Sequence, residues 1–527
     1  MKILVSEQIA VKGIEKLTQE GATVDVKPGM SRQELLDIIG AYDALIVRSN
    51  TKVNEELYQK ANRLKVVGRA GNGVDNIDME GATKRGIIVV NTPESNVVSA
   101  CELTIGLLIS SCRNIPRLYN RLQGSREWNR SGLKGMELQG KTVGIVGLGR
   151  IGSLVATRLK SFGMHIIAYD PYISDSRFKN LGVDKKEKLE DLMRECDILT
   201  IHTPKTEETY GMIGKEQFKA AKKGLRVVNC ARAGLINEEA LVEALKKKIV
   251  ASVGLDVPEG EPEATSPLLD FDNVVVTPHA GADTVEAQNN VGITIAKEVV
   301  AALRGEMVPN AVNLPTLHHG ELENVKTHLN LGETLGKLYY QLEKDAVEKV
   351  EILYRGEAAE LETSVISLAI LKGLFEPVLK EQVNYVNASF IAESRGVVVT
   401  ESKESVVDNY LTLITIKVIS KNKEFTISGT IFGKSEIRIV EINGYEFDVS
   451  PAPYMLIAEN TDKPGVIGQL GTLFGVGKVN IATMQVGRKI SDKRAMMVLT
   501  VDSEISKETL EFLSGVEGII KVRFVKL

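Results

Sequence analysis

Short apolar runs alternate with amphipathic stretches through roughly the first 315 residues of the chain. Runs such as Lys2–Ser6, Ala44–Val47 and Thr142–Val146 are nearly continuous in apolar residues, which is typical of strands buried on both faces. Between the runs lie helical patterns of about 8 to 15 residues. This alternation predicts parallel sheets with helices packed on both faces.

The strands predicted in this part share an apolar core and polar flanks. They are Lys2–Ser6, Ala22–Val26, Ala44–Val47, Thr142–Val146, Ile166–Tyr169, Ile198–Ile201, Arg226–Asn229, Ala251–Leu255 and Val274–Thr277. Ser31 and Glu34 form a capping box that opens a helix. Asp283 and Glu286 have the same spacing and predict the start of a helix over Asp283–Leu303.

The pattern changes after residue 315. Two helical stretches (326–343 and 362–380) precede β-rich runs such as Leu411–Ile419 and Glu424–Ile431, and no βαβ alternation continues. This predicts a separate α+β domain. Pro451–Pro453 resembles a short, semi-rigid spacer, and the last segment has the order strand, helix, strand, strand, helix, strand.

Composition narrows the class of protein. The 527 residues are 43% hydrophobic and 25% charged, with a net charge of -4, so no basic field attracts nucleic acid or an anionic membrane. No apolar run reaches the ~18 residues that a membrane span needs, and the four cysteines are scattered. We expect a soluble, cytoplasmic, multidomain protein with no nucleic-acid, membrane or metal partner.

The segment Val143–Gly152 has the pattern of a strand that runs into G-x-G-x-x-G and a helix. Gly147 allows the tight turn, Gly149 allows the backbone to approach a pyrophosphate, and Gly152 allows close packing of helix on strand. Arg150 and Ile151 lie in the same loop at the helix N-terminus, which favours anions. Asp170 ends the next strand and would bind a ribose 2′-hydroxyl, so NAD is predicted rather than NADP.

Polar side chains that could carry proton chemistry follow several of the predicted strands. His202 and His279 each follow a strand directly, whereas His165 begins one and is therefore at the wrong edge. The other three histidines are predicted on a solvated connection; they are His318, His319 and His328. Arg232 follows one strand and could hold a carboxylate, and Glu261 follows the next, where it could orient His279 and favour its imidazolium.

Residues 1–315 resemble the D-2-hydroxyacid dehydrogenases, and the whole chain resembles the long-form phosphoglycerate dehydrogenases within that family. The matching motifs occur in the family's order. They are Leu45–Ser49, Gly68–Asp75, Asn91–Pro93, Gly147–Gly152, Asn229–Gly234, Gly254–Val257, Glu261–Pro262 and Pro278–Gly281. Ala233 and Pro258 depart from the family pattern, and the second departure leaves Glu259 as the alternative to Glu261.

The resemblance implies a site of three kinds of residue. The implied catalytic residues are Arg232, Glu261 and His279. The implied cofactor residues beyond Gly147–Gly152 and Asp170 are Thr203, Cys230, Ala231, Arg232, Asp256, His279 and Gly281. Among them, Asp256 would bind the nicotinamide amide. The implied substrate residues are Arg48, Ser49 and Arg69 for a phosphate, Asn72 and Gly73 for a carboxylate, and Arg130 across a dimer interface.

Two C-terminal segments resemble known regulatory modules. The segment around Val383–Ser389 resembles the intervening domain of these enzymes, and Tyr454–Leu527 resembles an ACT domain of ferredoxin-like βαββαβ fold. The second resemblance implies L-serine as an effector between paired modules. Asn460, Asp462 and Asn480 would bind it. A module that serves only dimerisation is the alternative.

The predicted domains are therefore four. Two are doubly wound parallel-sheet domains of Rossmann or flavodoxin type: a substrate domain (1–97 and 284–314) and an NAD-binding domain (98–283). An intervening domain (315–450) and an ACT domain (454–527) follow. The expected function is NAD-dependent oxidation of D-3-phosphoglycerate by a homodimer or homotetramer. The alternatives are a general reductase of 2-keto acids such as glyoxylate or hydroxypyruvate, and an NAD-sensing binding protein.

Overall fold

A computed structural model describes residues 1–261, 263–315, 321–343, 345–379, 383–406, 409–421, 423–489 and 493–527. Pro262 and the pair His318–His319, which the sequence analysis singled out, lie outside these ranges. Within them, no helix combines the length and apolar character that crossing a bilayer requires.

The N-terminal part contains a five-stranded parallel sheet. Its strands are β1 (Lys2–Val5), β2 (Thr23–Val26), β3 (Ala44–Val47), β4 (Val66–Arg69) and β5 (Ile88–Val90), and its helices are α1 (Val11–Gln19), α2 (Arg32–Ile38), α3 (Glu55–Lys60) and α4 (Met79–Lys84). The spatial order is β2-β1-β3-β4-β5, which is the flavodoxin-like order. The order reverses between β1 and β3, and ligands bind at such a switch point beyond the carboxyl ends of the strands.

The next part contains a seven-stranded parallel sheet. Its strands are β6 (Thr142–Val146), β7 (His165–Tyr169), β8 (Asp184–Lys185), β9 (Ile198–Ile201), β10 (Leu225–Asn229), β11 (Val250–Leu255) and β12 (Val274–Val276). Its helices are α5 (Val97–Arg113), α6 (Ile115–Tyr119), α7 (Arg150–Lys160), α8 (Asp175–Leu181), α9 (Leu189–Glu195), α10 (Lys215–Ala220) and α11 (Glu238–Lys246). The order β12-β11-β10-β9-β6-β7-β8 extends the Rossmann order by one strand, with the switch point between β6 and β9.

The long helix α12 (Val285–Leu303) returns to the first sheet. Val291, Ile295 and Val299 of α12 are buried in one core with Ile3 and Val5 of β1. The predicted start of this helix is wrong by two residues. Thr284, and not Asp283, caps it, because the Thr284 hydroxyl accepts the Ala287 N–H at 3.2 Å while Asp283 closes the preceding turn.

Most predicted strands agree with the structure to within one residue at each end. Ala44–Val47, Thr142–Val146 and Ile198–Ile201 have the predicted bounds. The capping box of Ser31 and Glu34 is confirmed, since each residue binds the other's backbone N–H. Continuous burial explains this accuracy, because fully buried strands carry the clearest apolar signal.

The third part is a six-stranded mixed sheet with helices on one face. Its helices are α13 (Glu321–Leu342), α14 (Glu357–Glu360), α15 (Thr363–Leu379) and α16 (Ala388–Ser394), and its strands are β13 (Val347–Gly356), β14 (Val398–Glu404), β15 (Thr412–Ser420), β16 (Lys423–Phe432), β17 (Glu436–Ile442) and β18 (Tyr445–Val449). The order is β14-β13-β15-β16-β17-β18. The expectation that no βαβ unit occurs here is wrong: β14 pairs in parallel with β13 after a helical crossover. The mostly exposed, polar edge strand β14 gave no apolar signal.

The C-terminal part has the predicted βαββαβ order. Its elements are β19 (Tyr454–Thr461), α17 (Val466–Val476), β20 (Ile481–Lys489), β21 (Arg494–Val501), α18 (Lys507–Ser514) and β22 (Ile519–Lys526). The strands pair antiparallel in the order β20-β21-β19-β22.

The two C-terminal sheets share one hydrophobic core. Met455, Ile457 and Val498 of the fourth sheet are buried in the same cluster as Ile439 and Phe447 of the third. The segment Pro451–Pro453 is the short link between β18 and β19 that the sequence predicts, but the two sheets it joins pack against each other.

Candidate active site

The carboxyl ends of the seven-stranded sheet carry most of the predicted site. Because these strands are parallel, the residues that follow them lie along one edge. Gly147 follows β6, Asp170 follows β7 and His202 follows β9, while Cys230, Asp256 and the turn with His279 follow β10, β11 and β12.

The glycine loop has the geometry that a dinucleotide requires. Gly147 has φ 90°, and a Cβ there would lie 2.7 Å from the His202 carbonyl oxygen. A Cβ on Gly152 would collide with the Gly147 carbonyl oxygen, so this position must be glycine for α7 to pack. A Cβ on Gly149 would meet no protein atom within 4 Å, and the open space lies at the N-terminus of α7, where an anion is favoured.

Asp170 is held against the same loop. Its Oδ2 accepts the Leu148 N–H at 2.8 Å, and its Oδ1 accepts the Tyr172 N–H at 3.0 Å. Each carboxylate oxygen keeps one further acceptor position, which fits the two hydroxyls of a ribose. At the start of α7, Arg150 forms an ion pair with Glu94 at 3.1 Å, and Ile151 follows it.

The turn after β10 lies at the same edge of the sheet as the glycine loop. The Asn229 side chain accepts the Ala231 N–H and donates to the Arg232 carbonyl, each at 2.9 Å. Burial raises the pKa of the Cys230 thiol to about 12, so Cys230 is an uncharged lining residue. Gly234 supplies the left-handed residue of the turn at φ 83°.

Thr203 follows β9 and faces the glycine loop. A Cβ on Gly147 would lie 2.8 Å from the Thr203 Cγ2, so the two segments are in close contact. This contact and the open side of Gly149 lie at the switch point between β6 and β9, where an open parallel sheet has its ligand-binding groove. The residues present therefore fit a dinucleotide.

His279 and Glu261 are brought together by two loops. The His279 Nδ1 lies 2.9 Å from the Glu261 Oε2, although 18 residues separate them. The alternative residue Glu259 is held elsewhere: its N–H donates to the Glu238 Oε1 at 2.7 Å, and burial and the Glu238 charge raise its carboxyl pKa. The geometry therefore pairs His279 with Glu261 and not with Glu259.

Asp256 shapes the turn that presents His279. Its carboxylate is 1% exposed and accepts the Ala280 and Gly281 N–H groups at 2.8 Å and the Thr277 hydroxyl at 2.6 Å. His279 adopts the left-handed φ of 52°, and its N–H donates to the Asp256 carbonyl at 2.9 Å. Sequence reasoning assigned Asp256 to the nicotinamide amide and missed this role, which leaves one lone pair of Oδ2 for a ligand.

The loops of the first sheet bring Arg69 and the Asn72–Gly73 segment toward Arg232. The Arg69 guanidinium folds over Gly71, whose φ of 146° and missing Cβ make room for it. A Cβ on Gly73 would lie 2.6 Å from the Arg232 Nη2, so the loop with Asn72 and Gly73 touches Arg232. Arg232 also forms a long ion pair with Asp75 at 3.8 Å.

Arg69 lies within electrostatic range of two further positive charges. Burial and the charges of Arg232 and Arg48 lower the pKa of Arg69 to about 10. The Arg69 Nε is buried and has no hydrogen-bond partner among the described residues. Like charges held this close favour an anionic ligand, because it relieves both the repulsion and the missing hydrogen bond.

The other histidines are poorly suited to proton transfer here. Burial lowers the pKa of His202 to about 4, and its Nε2 lies 3.0 Å from the Thr200 Oγ1. His202 is therefore neutral near pH 7. His165 begins β7 at the opposite edge of the sheet. His328 is half-buried in α13, so its predicted place on a solvated connection is wrong.

Two of the substrate residues predicted by resemblance, Arg130 and Ser49, lie in exposed segments. Arg130 is in the exposed connection between α6 and β6, and its guanidinium forms no ion pair with any described residue. Ser49 is exposed in the loop after β3. One chain alone does not bring Arg130 to the pocket.

The predicted effector residues lie at two ends of the fourth sheet. Asp462 forms an ion pair with Arg488 at 3.5 Å near the end of β20, whereas Asn480 precedes β20 and donates to the Asp502 carboxylate at 2.6 Å. Asn460 is buried, and its Oδ1 has no partner among the described residues. Within one chain, Asn480 is therefore separated from Asp462 by the length of the strand.

Comparisons with known proteins agree with this architecture. A family model for the NAD-binding domain of D-isomer specific 2-hydroxyacid dehydrogenases matches residues 105–281, and a model for the D-3-phosphoglycerate dehydrogenase intervening domain matches residues 324–443. Among solved structures, the D-lactate dehydrogenase of Aquifex aeolicus, complexed with NAD and lactic acid, covers 58% of this chain and 96% of its own (TM-score 0.52, 26% identity).

Relatives match over the full chain. The D-3-phosphoglycerate dehydrogenase of Archaeoglobus fulgidus is 44% identical over 531 residues and covers 100% of both chains. That of Bacillus subtilis is 41% identical over 526 residues, covering 100% of this chain and 99% of its own. The chain belongs to the D-3-phosphoglycerate dehydrogenase family of NAD-dependent oxidoreductases.

Proposed function

We propose that this enzyme oxidises D-3-phosphoglycerate to 3-phosphohydroxypyruvate with NAD, as the first step of serine synthesis. The observation that carries the proposal is the half-buried Arg69, whose buried Nε lacks a hydrogen-bond partner among the described residues and whose pKa is lowered by the charges of Arg232 and Arg48. A substrate with a phosphate at one end and a carboxylate at the other supplies the missing negative charges. The full-length relatives bear the name of this activity.

The groove of the second sheet would hold NAD. The loop Gly147–Gly152 would take the pyrophosphate at the start of α7, and the Asp170 carboxylate would accept the ribose hydroxyls. Thr203, Cys230 and Ala231 would line the groove. When bound, NAD supplies the acceptor for the hydride that leaves C2 of the hydroxy acid.

His279 would take the proton of the C2 hydroxyl. A carboxylate only accepts hydrogen bonds, so its contact with Glu261 keeps the proton on the His279 Nδ1 and leaves Nε2 as the base. The negative charge of Glu261 then stabilises the imidazolium that forms. Asp256 holds the turn, so the ring is positioned before substrate arrives.

Arg232 would hold the carboxylate and the C2 oxygen of the substrate. A guanidinium offers a planar fork of donors and remains charged throughout the reaction. Its position against Gly73 lets the backbone N–H groups of Asn72 and Gly73 share the same carboxylate. The Asp75 carboxylate, 3.8 Å from Arg232, would be replaced by that of the substrate.

The alternatives make different demands on the pocket. A general 2-keto acid reductase needs Arg232 but no cation at Arg48 or Arg69, and an NAD-sensing binding protein needs neither His279 nor Glu261 in reactive geometry. The pairing of His279 with Glu261 and the three converging arginines favour the phosphate-specific dehydrogenase.

Regulation by L-serine is the second part of the proposal. Asn460 offers a buried acceptor oxygen without a partner among the described residues, and Asp462 opens the turn before α17. Because Asn480 lies at the other end of β20, a serine bound by all three residues requires two copies of the chain. The exposed apolar side chains Ile467 and Val476 of α17 suit such a pairing.

We also propose a cytoplasmic homodimer or homotetramer. The connection after α5 exposes several large apolar side chains, and Trp128 is 91% exposed. A second copy that covers this segment would bring its Arg130 toward the substrate pocket. The large apolar residues that are exposed in this segment are Ile115, Tyr119, Leu122 and Trp128.

The test is NADH-coupled reduction of phosphohydroxypyruvate, hydroxypyruvate and glyoxylate, with and without millimolar L-serine. A strong preference for the phosphorylated acid supports the dehydrogenase, and equal rates on the three acids refute the phosphate site. Suppression by serine supports the effector proposal. A lack of suppression leaves the ACT domain with a role in assembly only.

A further inference from the structure

The loop after β3, which carries Arg48, is held by a single carboxylate. The Glu7 Oε1 accepts the N–H groups of Arg48 and Thr51, each at 2.9 Å, and the Glu7 Oε2 accepts the N–H of Asn50 at 3.2 Å. All three donors are backbone groups that are close in sequence. One side chain, 41 residues away from Arg48, therefore binds three backbone N–H groups of this loop.

A second side chain holds the same loop through its carbonyl groups. The Asn76 Nδ2 donates to the Arg48 oxygen at 2.8 Å and to the Thr51 oxygen at 2.7 Å. The backbone around Arg48 is thus bound to Glu7 through its N–H groups and to Asn76 through its carbonyls. Five polar backbone groups of the loop therefore have side-chain partners.

The place of Glu7 in the fold connects it with ligand binding. Glu7 follows β1 and Arg48 follows β3, so the two residues lie on either side of the switch point of the first sheet. Successive N–H groups that point one way form a concave anion site. Here the Glu7 carboxylate occupies this backbone site, so an external phosphate would be bound by the guanidinium groups instead.

We infer that Glu7 is a positioning residue for the substrate phosphate, because its carboxylate fixes the backbone of Arg48 and fills the adjoining backbone anion site. The inference rests on the proposed function, in which Arg48 binds phosphate. Glu7 itself would touch neither substrate nor cofactor. It would act by fixing the position of the Arg48 backbone, from which the guanidinium side chain extends.

The charge of Glu7 alone has the opposite effect on phosphate binding. A negative charge near Arg69 repels a phosphate dianion, so its removal by Glu7→Gln tightens phosphate binding if charge is all that matters. If Glu7 positions the loop, the same change weakens binding, since a glutamine amide replaces one acceptor oxygen with a donor that faces a backbone N–H. The sign of the effect separates the two roles.

The experiment compares Glu7→Gln with Glu15→Gln in the full-length enzyme. Glu15 lies exposed in α1, and its replacement removes the same charge without touching the loop. For Glu7→Gln we expect the KM for phosphohydroxypyruvate to rise about tenfold, equivalent to about 1.4 kcal/mol. We expect kcat and the constants for hydroxypyruvate to stay unchanged, and Glu15→Gln to behave as wild type.

An unchanged or lowered KM for phosphohydroxypyruvate in Glu7→Gln overturns the inference, as does an equal loss on both acids. If Glu7→Gln does not bind NADH, and so has not folded, Asn76→Ala is judged by the same criteria, because it loosens the same loop from its carbonyl side. A wild-type enzyme without phosphate preference refutes the proposed function itself. A wild-type preference that Glu7→Gln retains in full refutes only the role of Glu7.

Discussion

The Nδ1 of His279 and the Oε2 of Glu261 are 2.9 Å apart, so a carboxylate holds the imidazole at the carboxyl edge of the second sheet. The backbone of His279 is in the left-handed region, at φ 52°. That conformation is uncommon for a residue with a side chain, and the buried Asp256 stabilises it through the N–H groups of Ala280 and Gly281. The position of His279 is therefore fixed both through its imidazole ring and through its backbone.

Replacement of the two strand-end histidines should give different results. His279→Ala should lower kcat by about 10²–10⁴, because the proton then lacks a positioned acceptor. NADH affinity, measured by fluorescence titration, should stay within about twofold of wild type. His202→Asn should keep the shape of the pH–rate profile, since His202 is neutral near pH 7. Full turnover in His279→Ala would exclude it as the proton carrier.

Alanine substitutions at two glycines of the dinucleotide loop should have different effects, one on NADH affinity and the other on stability. Gly149→Ala places a methyl group in open space, so its melting temperature should match wild type. Its dissociation constant for NADH should rise about tenfold, because a displaced pyrophosphate loses a charge-assisted hydrogen bond. Gly152→Ala collides with the Gly147 carbonyl and should cost about 1–3 kcal/mol in the free energy of unfolding. Unaltered NADH affinity in Gly149→Ala would contradict the pyrophosphate assignment.

Stability should depend on pH through His202. Burial lowers the pKa of His202 to about 4, whereas in the unfolded chain it is about 6.5. Between these values the unfolded chain binds a proton that the folded chain does not, so the free energy of unfolding falls as the pH decreases from about 6.5 to about 4. Urea unfolding of wild type and His202→Gln at pH 7 and pH 5 tests this. The variant should lose less stability; an equal loss would show that other groups account for the decrease.

The two C-terminal sheets should unfold together. Because Met455, Ile457 and Val498 complete a core with the third sheet, a chain that ends at residue 450 exposes that face. Hydrogen exchange should then show loss of protection in β15 to β18, while the glycine loop keeps its NADH affinity. Wild-type protection of these strands in the shortened chain would mean that the third sheet folds independently.

Residues whose role depends on local pattern could be predicted from the sequence. The apolar runs gave the buried strands, and the glycine spacing gave the dinucleotide loop with Asp170 behind it. The position of polar residues after successive strands was enough to expect Arg232, Glu261 and His279 at one edge. Their meeting follows from the parallel topology that the alternation itself predicts.

Residues whose role depends on distant partners could not be predicted. Glu7 appears in the sequence as an ordinary loop acid, and only the β1–β3 adjacency brings it to the backbone of Arg48. Asp256 accepts hydrogen bonds from a turn more than twenty residues downstream. The core shared by the C-terminal sheets was hidden for the same reason, since Pro451–Pro453 has the composition of a spacer and only tertiary packing shows otherwise.

The most direct test of the phosphate site is the ratio of kcat/KM for phosphohydroxypyruvate to kcat/KM for hydroxypyruvate, measured in wild type, Arg48→Gln and Arg69→Gln. We expect a high ratio in wild type that falls by about tenfold or more in each variant, because each loses a charged hydrogen bond to phosphate. We also expect the constants for hydroxypyruvate to change little in Arg48→Gln. A ratio near one in wild type, or one that both variants leave unchanged, would contradict the assignment of this pocket to a phosphorylated hydroxy acid.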